Sequence, residues 1–273
     1  RMVENRDTHR AYLKRGKKLE AAVCLGNTAA VMLASSMSPD PEVFELEIAN
    51  SLDKTTLSRC KTKDLLVPSD CEVVIEGHIL EETAHEGPFV DLTQTRDFVR
   101  KQPVFKVDCI TCRVDPILQI LLPGQNEHKL LMGMPKEPTL YSCINKTVDC
   151  TNVILTQGGG CWLHAAIQIS KKNSDDGIKA LKEAFQAHKS LKHAIVVDKD
   201  INIYDTRDLE WALANRFQAS KDLLIFHDQP SSSLDPSALH VPGEKSKTSK
   251  LGFDATIPDL GKMDEFCRVP YGI

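Results

Sequence analysis

The sequence predicts a mixed α+β and α/β protein in which a β-rich region precedes an α/β domain. Between residues 60 and 114, alternating apolar runs are separated by Gly, Pro and Asp, a pattern typical of strands and turns. After residue 137, short apolar strands alternate with amphipathic helices, which indicates an α/β domain. The 273 residues suffice for two ordinary domains, so we place the first at residues 1–138 and the second at residues 139–273.

The first region begins with helices and short strands before its longer strands. Gly and Pro separate the apolar runs, so each run is interpreted as one element. The pattern predicts a strand at residues 21–25, helices at residues 28–35 and after Pro41, and strands at residues 73–79 and 104–114.

The second region carries the strand–helix alternation. A buried strand at residues 194–198 ends in an acid, and Ser174 or Asp175 caps a helix with one apolar face. Thr206 is expected to cap a helix that ends at Arg216. Residues 230–250 are rich in Ser, Pro, Gly and Lys and predict a loop. The remaining strands are predicted at residues 153–156, 162–169 and 223–226.

Composition and charge limit the classes of function. The chain is 41% hydrophobic and 26% charged, which is typical of globular domains. A net charge of -4 gives no basic face for nucleic acid, and no apolar run is long enough to span a bilayer. Nine irregularly spaced cysteines predict reduced thiols and a cytoplasmic protein. The single CxxC at residues 109–112 falls on a predicted strand, which argues against a zinc site.

The segment Glu-Gly-Pro-Phe-Val-Asp at residues 86–91 is the first candidate for chemistry. Gly87 and Pro88 predict a turn that places Glu86 and Asp91 on the edge of a loop. Two carboxylates held close together do not both ionise easily, so one of them can deliver a proton near neutral pH. A surface turn with two solvated acids is the alternative, and the spacing alone favours that alternative.

A carboxylate on the apolar face of a predicted helix is the second candidate. At about 100° per residue, Glu45 falls inside the apolar arc of residues 43–52, whereas Glu47 falls on the polar side. A carboxylate on a core face is costly unless it is paired or binds a metal, so Glu45 is a candidate metal ligand. A buried ion pair is the alternative. The apolar arc comprises Phe44, Ile48, Ala49 and Leu52.

Four weaker patterns complete the survey. Residues 198–202 open like a calcium loop but lack the Gly and Glu that such a loop needs farther on. Residues 158–160 are all Gly, and without a P-loop Lys-Ser/Thr they favour a close-packed turn over an anion-binding one. His164 lies in an apolar strand and is interpreted as a core histidine. His9 and Arg10 lie in a polar cluster that could donate to a phosphate, but a solvated charged segment is the default interpretation.

Several segments, in collinear order over nearly the whole chain, resemble the UbiD family of decarboxylases. Each segment is weak alone, but the set is specific. Val90 and Asn50 depart from the family pattern, which usually has Gly at both positions. The matching segments are residues 45–49, 64–68, 72–77, 86–91, 196–201, 211–216 and 250–256.

The resemblance implies a split β-barrel flavin-binding domain followed by an α/β domain. It implies a prenylated FMN cofactor whose phosphate is tethered through Mn²⁺ or Mg²⁺, with K⁺ nearby. The family catalyses reversible, non-oxidative decarboxylation of α,β-unsaturated or aromatic acids. A prenyl-flavin synthase is the implied source of cofactor, and a homodimer or homohexamer is the implied assembly.

The resemblance also assigns roles by position. Glu45 matches the metal-binding glutamate, and His9 with Arg10 matches a cofactor-proximal His-Arg step, with His9 as a further metal ligand. Asp91 matches the proton donor, and Glu86 matches the acid that holds an arginine. Arg1 is the candidate for that arginine, although its short distance from His9 in the sequence does not fit the family.

Residues 127–138 and 159–165 resemble the archaeal branch of the family. That branch is associated with decarboxylation of trans-anhydromevalonate 5-phosphate to isopentenyl phosphate. A phosphorylated substrate needs cations, for which Lys129, Lys136 and Lys250 are the candidates. The family's asparagine ligand and most of its flavin-phosphate loop have no match in the chain. A cofactor-less binding or assembly subunit therefore stays open, as does a carboxylase of an aromatic acid.

Overall fold

The computed structural model describes residues 9–16, 18–39, 42–241 and 244–269. The chain forms two compact units: the first contains the described residues up to Phe89 and Arg96–Leu122, and the second contains Val90–Thr95 and the residues from Pro123 onward. Each unit has its own sheet, which confirms the predicted mixed class. The domain boundary between residues 138 and 139 stays a prediction. Within the described ranges, no helix is long and apolar enough to cross a membrane.

Antiparallel strands form the framework of the first unit. β4 pairs with both β1 and β5 in a three-stranded sheet, and β2 pairs with β3. β4 extends past the predicted strand, so that its end carries the candidate acid Glu86. The strands are β1 (Leu19–Leu25), β2 (Leu57–Arg59), β3 (Leu66–Pro68), β4 (Val73–Glu86) and β5 (Arg100–Cys112).

Helices α1 (described residues 9–14), α2 (Ala29–Ser36) and α3 (Glu45–Leu52) belong to the same unit. Thr28 caps α2 because its hydroxyl accepts the Val31 N–H at 3.4 Å. Val31 and Ala34 of α2 pack with Ala49 of α3 in a small core. Both predicted helices are therefore confirmed, and they stabilise each other.

A five-stranded mixed sheet, in the order β6-β7-β8-β10-β9, forms the centre of the second unit. β7 and β10 both run parallel to β8, and the edge strands β6 and β9 are antiparallel to their neighbours. The parallel centre confirms the α/β interpretation of this region. The strands are β6 (Cys150–Leu155), β7 (His164–Ile169), β8 (His193–Asp198), β9 (Leu223–Pro230) and β10 (Lys247–Asp254).

Helices cover both faces of this sheet. Val196 packs in one core with residues of α5 and α6, whereas Val197 packs in the other core with residues of α7. Successive strand residues point to opposite faces, so this alternation produces a three-layer unit. The helices are α4 (Asn126–Gly133), α5 (Glu137–Ile144), α6 (Asp176–Ala187), α7 (Thr206–Arg216), α8 (Ala219–Asp222) and α9 (Met263–Phe266).

Two local predictions are wrong. Residues 230–250 are not entirely a loop, because β10 begins at Lys247 and the intervening Asp235 is only 1% exposed. The cap of α7 is Asp205, whose side chain accepts the Arg207 N–H at 2.9 Å, and Thr206 is the first helical residue. A carboxylate accepts at a helix start as well as a hydroxyl does, so the sequence allowed either assignment. The prediction of free thiols is confirmed for all nine cysteines.

Candidate functional site

Glu86 is the last residue of β4 and is exposed. Its cross-strand partner is Arg100, the first residue of β5. The chain then turns at Gly87, whose φ of +87° is a left-handed conformation that favours glycine. Sequence reasoning missed Arg100, because only the strand register makes it a neighbour of Glu86. Arg100 also forms an ion pair with Asp97.

Asp91 begins a tight turn in the second unit and is half-buried. Its Oδ1 accepts the Leu92 N–H at 2.6 Å, and its backbone N–H donates to the Thr95 carbonyl at 3.2 Å. These contacts fix the backbone and one oxygen of the carboxylate. The other oxygen, Oδ2, forms no hydrogen bond to any described residue. A carboxyl group held in this way can hold or deliver a proton at Oδ2.

Glu45 is the first residue of α3 and is half-buried, whereas Glu47 is exposed, as the helical wheel predicts. The apolar arc itself is only partly correct. Ala49 is fully buried against α2, but Phe44 is 60% exposed and Leu52 is 55% exposed. The helix is short and contacts its neighbour near its middle, so residues at its two ends remain at the surface.

His9 lies in α1 and is buried, and its Nε2 has no hydrogen-bond partner among the described residues. Arg10 is exposed. Arg1 lies outside the described residues. A buried ring nitrogen without a partner is unusual, because buried polar groups are normally satisfied. Imidazole nitrogen is also a common metal ligand, so His9 fits a role beside a bound ion.

The donors available for a metal are few in the described part of the chain. No group of three or more His, Cys, Asp or Glu side chains there could hold a metal ion. His9, with its unpartnered Nε2, and Glu45, with its half-buried carboxylate, each have the chemistry of a ligand for a divalent ion. Besides the Nε2 of His9, the Oδ1 of Asn27 is a buried side-chain atom with no hydrogen-bond partner among the described residues. Apart from its position after a predicted strand, no sequence pattern marks Asn27.

The second unit contains a cavity of about 400 Å³ at the amino ends of β7 and β8. The glycine turn at residues 158–160 lines it, together with His164, Lys129 and Lys192. Burial lowers the pKa of His164 to about 4, with a further contribution from His193, so its imidazole is neutral at pH 7. His164 therefore faces a cavity, although its strand pattern predicts a core position.

The three lysines predicted to bind phosphate differ in their surroundings. Lys129 lines the cavity, and Lys136 is not among the residues that line it. Lys250 is only 3% exposed, and its Nζ donates to the Lys189 carbonyl at 2.8 Å. Burial lowers the pKa of Lys250 to about 8. Lys250 therefore stabilises the fold, and the structure argues against it as a phosphate ligand.

Two family models and several curated proteins match the chain. The Rift-related domain of 3-octaprenyl-4-hydroxybenzoate carboxy-lyase (UbiD) matches residues 1–126, and the C-terminal domain matches residues 129–255. Anhydromevalonate phosphate decarboxylase of Methanocaldococcus jannaschii is 44% identical over 98% of this chain and 64% of its own length. The Methanothermobacter thermautotrophicus enzyme of the same name is 42% identical over 94% of this chain and 60% of its own length. The chain thus spans about three fifths of the length of these relatives.

Solved structures show the same relationship. The UbiD-class enzyme HmfF from Pelotomaculum thermopropionicum in complex with FMN has a TM-score of 0.89 and 37% identity, over 94% of this chain and 57% of that chain. An evolved dimeric form of HmfF in complex with prFMN has a TM-score of 0.82 and 36% identity, over 94% of this chain and 56% of that chain. From the two consecutive family models, the archaeal relatives and these structures, we conclude that the chain belongs to the UbiD family.

Proposed function

We propose that the protein is a prenylated-FMN-dependent carboxy-lyase that decarboxylates trans-anhydromevalonate 5-phosphate to isopentenyl phosphate. The observation that carries this proposal is the 44% identity, over 98% of the chain, to an archaeal anhydromevalonate phosphate decarboxylase. The HmfF structures contain FMN or prFMN, which supports a flavin cofactor.

The carboxylates of the 86–91 segment take separate roles in this proposal. When bound, prenylated FMN supplies the electron sink that loss of carbon dioxide requires. Asp91 protonates the product carbon from Oδ2, because Oδ1 is occupied by the Leu92 N–H. Glu86 orients an arginine side chain. Arg1 stays the proposed arginine from sequence position, and Arg100 is the arginine that the strand register places opposite Glu86.

The cofactor side of the proposal rests on α1 and α3. His9 and Glu45 would hold Mn²⁺ or Mg²⁺ with K⁺ nearby, and Arg10 would add positive charge for the flavin phosphate. The unpartnered Nε2 of His9 supports this assignment. The proposal includes a prenyl-flavin synthase as cofactor source, a homodimer or homohexamer, and a cytoplasmic location.

The main test is Asp91→Asn in protein produced together with a prenyl-flavin synthase. Turnover of trans-anhydromevalonate 5-phosphate, measured as isopentenyl phosphate formed, should fall by roughly 10²–10⁴-fold because the proton donor is lost. Circular dichroism and bound-flavin absorbance should not change. Glu82→Gln, on the exposed part of β4, is the matched control and should keep full activity. Undiminished turnover in Asp91→Asn would refute its role, and absence of flavin from the parent protein would favour the cofactor-less alternative.

A second test compares the two acids of α3. Glu45→Gln should lower the metal content of the purified protein by at least about tenfold, because a ligand is lost. Glu47→Gln changes the same functional group two residues away at an exposed position and should keep the metal. Elemental analysis by mass spectrometry measures both variants. Equal metal content in the two variants would remove Glu45 from the metal site.

A further inference from the structure

The cavity at the amino ends of β7 and β8 is lined by parts of the second unit that are distant in sequence. Its volume of about 400 Å³ falls in the range of small-molecule sites. One wall is the turn after Asp91, so the cavity begins next to the proposed proton donor. The lining comprises Leu92, Thr93, Gln94, Thr95, Lys129, residues 158–160, Leu163, His164, Lys192, His193 and residues 235–237.

The charged groups of this lining do not balance. Lys192 donates to Asp235 at 2.9 Å, and that carboxylate is almost completely buried. Lys129 is 8% exposed, and its ammonium has neither a hydrogen bond nor an ion pair with any described residue. Two lysines and one aspartate leave one positive charge in the cavity. A buried ammonium without a partner is costly, so an anion in the cavity would stabilise the protein.

The charge of Lys129 affects the pKa of the Cys161 thiol. Burial raises the pKa of the Cys161 thiol, Glu137 adds to the rise, and Lys129 opposes it. An added Cβ at Gly133 would come within 2.2 Å of the Cys161 carbonyl oxygen, so α4, the helix that carries Lys129, packs against the residue that directly follows the glycine turn. At Gly158 an added Cβ would meet no atom within 4 Å, so open space lies over this turn.

Uncharged donors complete the lining. The ring nitrogens of His193 form no hydrogen bond to any described residue, and a neutral imidazole always carries one N–H. The hydroxyls of Thr93 and Thr95 are 2.8 Å apart, and their mutual hydrogen bond uses one of their two hydrogens. One hydroxyl hydrogen is therefore free for an acceptor. A cation with several N–H and O–H donors is the environment that phosphate oxygens need.

We propose that this cavity binds a phosphate monoester, with Lys129 as its counter-charge and the His193 and Thr93–Thr95 groups as hydrogen-bond donors. Two ligands could bring that group: the substrate, whose assignment rests on the proposed function, and the flavin cofactor, in which case the cavity would replace Arg10 and the metal as the site of the flavin phosphate. In either case the phosphate would lie beside the turn that begins at Asp91. The first arrangement would hold the unsaturated acid by the end opposite the carboxylate that leaves.

The test is calorimetric titration of the flavin-loaded protein with inorganic phosphate, isopentenyl phosphate and the phosphate-free alcohol isopentenol. Lys129→Met keeps an unbranched side chain only one atom shorter and removes its charge, and Lys129→Gln is a second variant. Lys182→Met, an exposed position of α6, is the matched control. We expect at least tenfold weaker binding of both phosphates in the Lys129 variants, no change in the control, and no effect of Lys129 on isopentenol.

Flavin content separates the two sources of phosphate. Weaker isopentenyl phosphate binding with normal flavin content assigns the cavity to the substrate. Loss of flavin in Lys129→Met, with no isopentenyl phosphate binding in the parent, assigns it to the cofactor. Equal phosphate binding and equal flavin content in the parent and both Lys129 variants would overturn the proposal.

Thermal unfolding distinguishes a binding lysine from a structural one. Without ligand, Lys129→Met should melt no lower than the parent, because an unpaired buried charge has been removed. Phosphate should raise the melting temperature of the parent and not that of the variant. A lower melting temperature with an unchanged phosphate response would contradict the proposal. Binding is measured without turnover, so failure of this proposal and failure of the proposed decarboxylation are separate results.

Discussion

The two ends of the parallel strands in the second unit differ in how completely their buried charged side chains are paired. At the carboxyl end, the buried guanidinium of Arg216 meets Asp200 through two hydrogen bonds of 3.0 and 2.5 Å. At the amino end, Lys192 has Asp235, but Lys129 has no acidic partner in the described part of the chain. One end satisfies its charges within the protein, and the other retains an unbalanced cation.

The carboxyl end is where open α/β sheets usually bind ligands. Here protein groups fill it. Asp198, at the end of β8, accepts the Ile257 N–H at 2.6 Å, and Asp254, at the end of β10, accepts the Thr256 hydroxyl at 2.6 Å. A Cβ on Gly177 of α6 would come within 2.2 Å of the Asp254 carboxylate, so any larger residue there would displace that carboxylate. This end stabilises the fold, and the proposed phosphate site lies at the amino end instead.

The largest effect on the free energy of unfolding should come from removing the Arg216 ion pairs at the carboxyl end. Arg216→Met leaves the carboxylates of Asp198 and Asp200 without their cation, and we expect a loss of about 3–5 kcal/mol in the free energy of unfolding. Arg207→Met is the matched control, because Arg207 pairs with Asp205 at an exposed position and should cost at most about 1 kcal/mol. Urea denaturation measures both. Equal losses would mean that burial does not distinguish the two pairs.

A smaller effect on the free energy of unfolding should come from protonating His164 at the amino end. Burial lowers the pKa of His164 to about 4, whereas an unfolded histidine titrates near 6.5. The unfolded state therefore binds a proton first, and stability falls as the pH drops from about 6.5 to about 4. The shift corresponds to an upper limit of about 3 kcal/mol.

The variant His164→Gln removes this term and should flatten the dependence of unfolding free energy on pH between 4 and 6.5. His188, whose pKa burial also lowers to about 4, contributes its own share in both proteins. His85→Gln changes an exposed histidine of β4 and is the control. Identical pH curves for His164→Gln and the parent would show that His164 is protonated without cost to the fold.

Much of the fold followed from local pattern. Short apolar runs predicted β7 and β8, which are buried along most of their length. The apolar face of residues 178–185 predicted α6, because burial of one helix face repeats at helical spacing in the sequence. The same reasoning gave a wrong prediction for residues 230–250. Their Ser, Pro and Gly content predicts an exposed loop. Asp235 in this segment is nevertheless buried, and its carboxylate pairs with Lys192, 43 residues away in the sequence.

Some features of the candidate site also followed from local sequence pattern, and others did not. The helical wheel alone distinguished the half-buried Glu45 from the exposed Glu47, and the quoted motifs alone established the family resemblance. No local pattern shows that His9 is buried with a free Nε2, or that Arg100 lies opposite Glu86. Strand register and helix packing decide these relations, since they join residues that are distant in the sequence.

The sequence by itself thus determined the elements, the class of fold and the family, because these depend on periodicity and on short motifs. Only the tertiary structure decided which charges are balanced. Lys129 and Lys192 are the same residue type, and each lines the same cavity. What separates them is the position of one carboxylate, Asp235, and the electrostatic balance of a buried site depends on such distances rather than on composition.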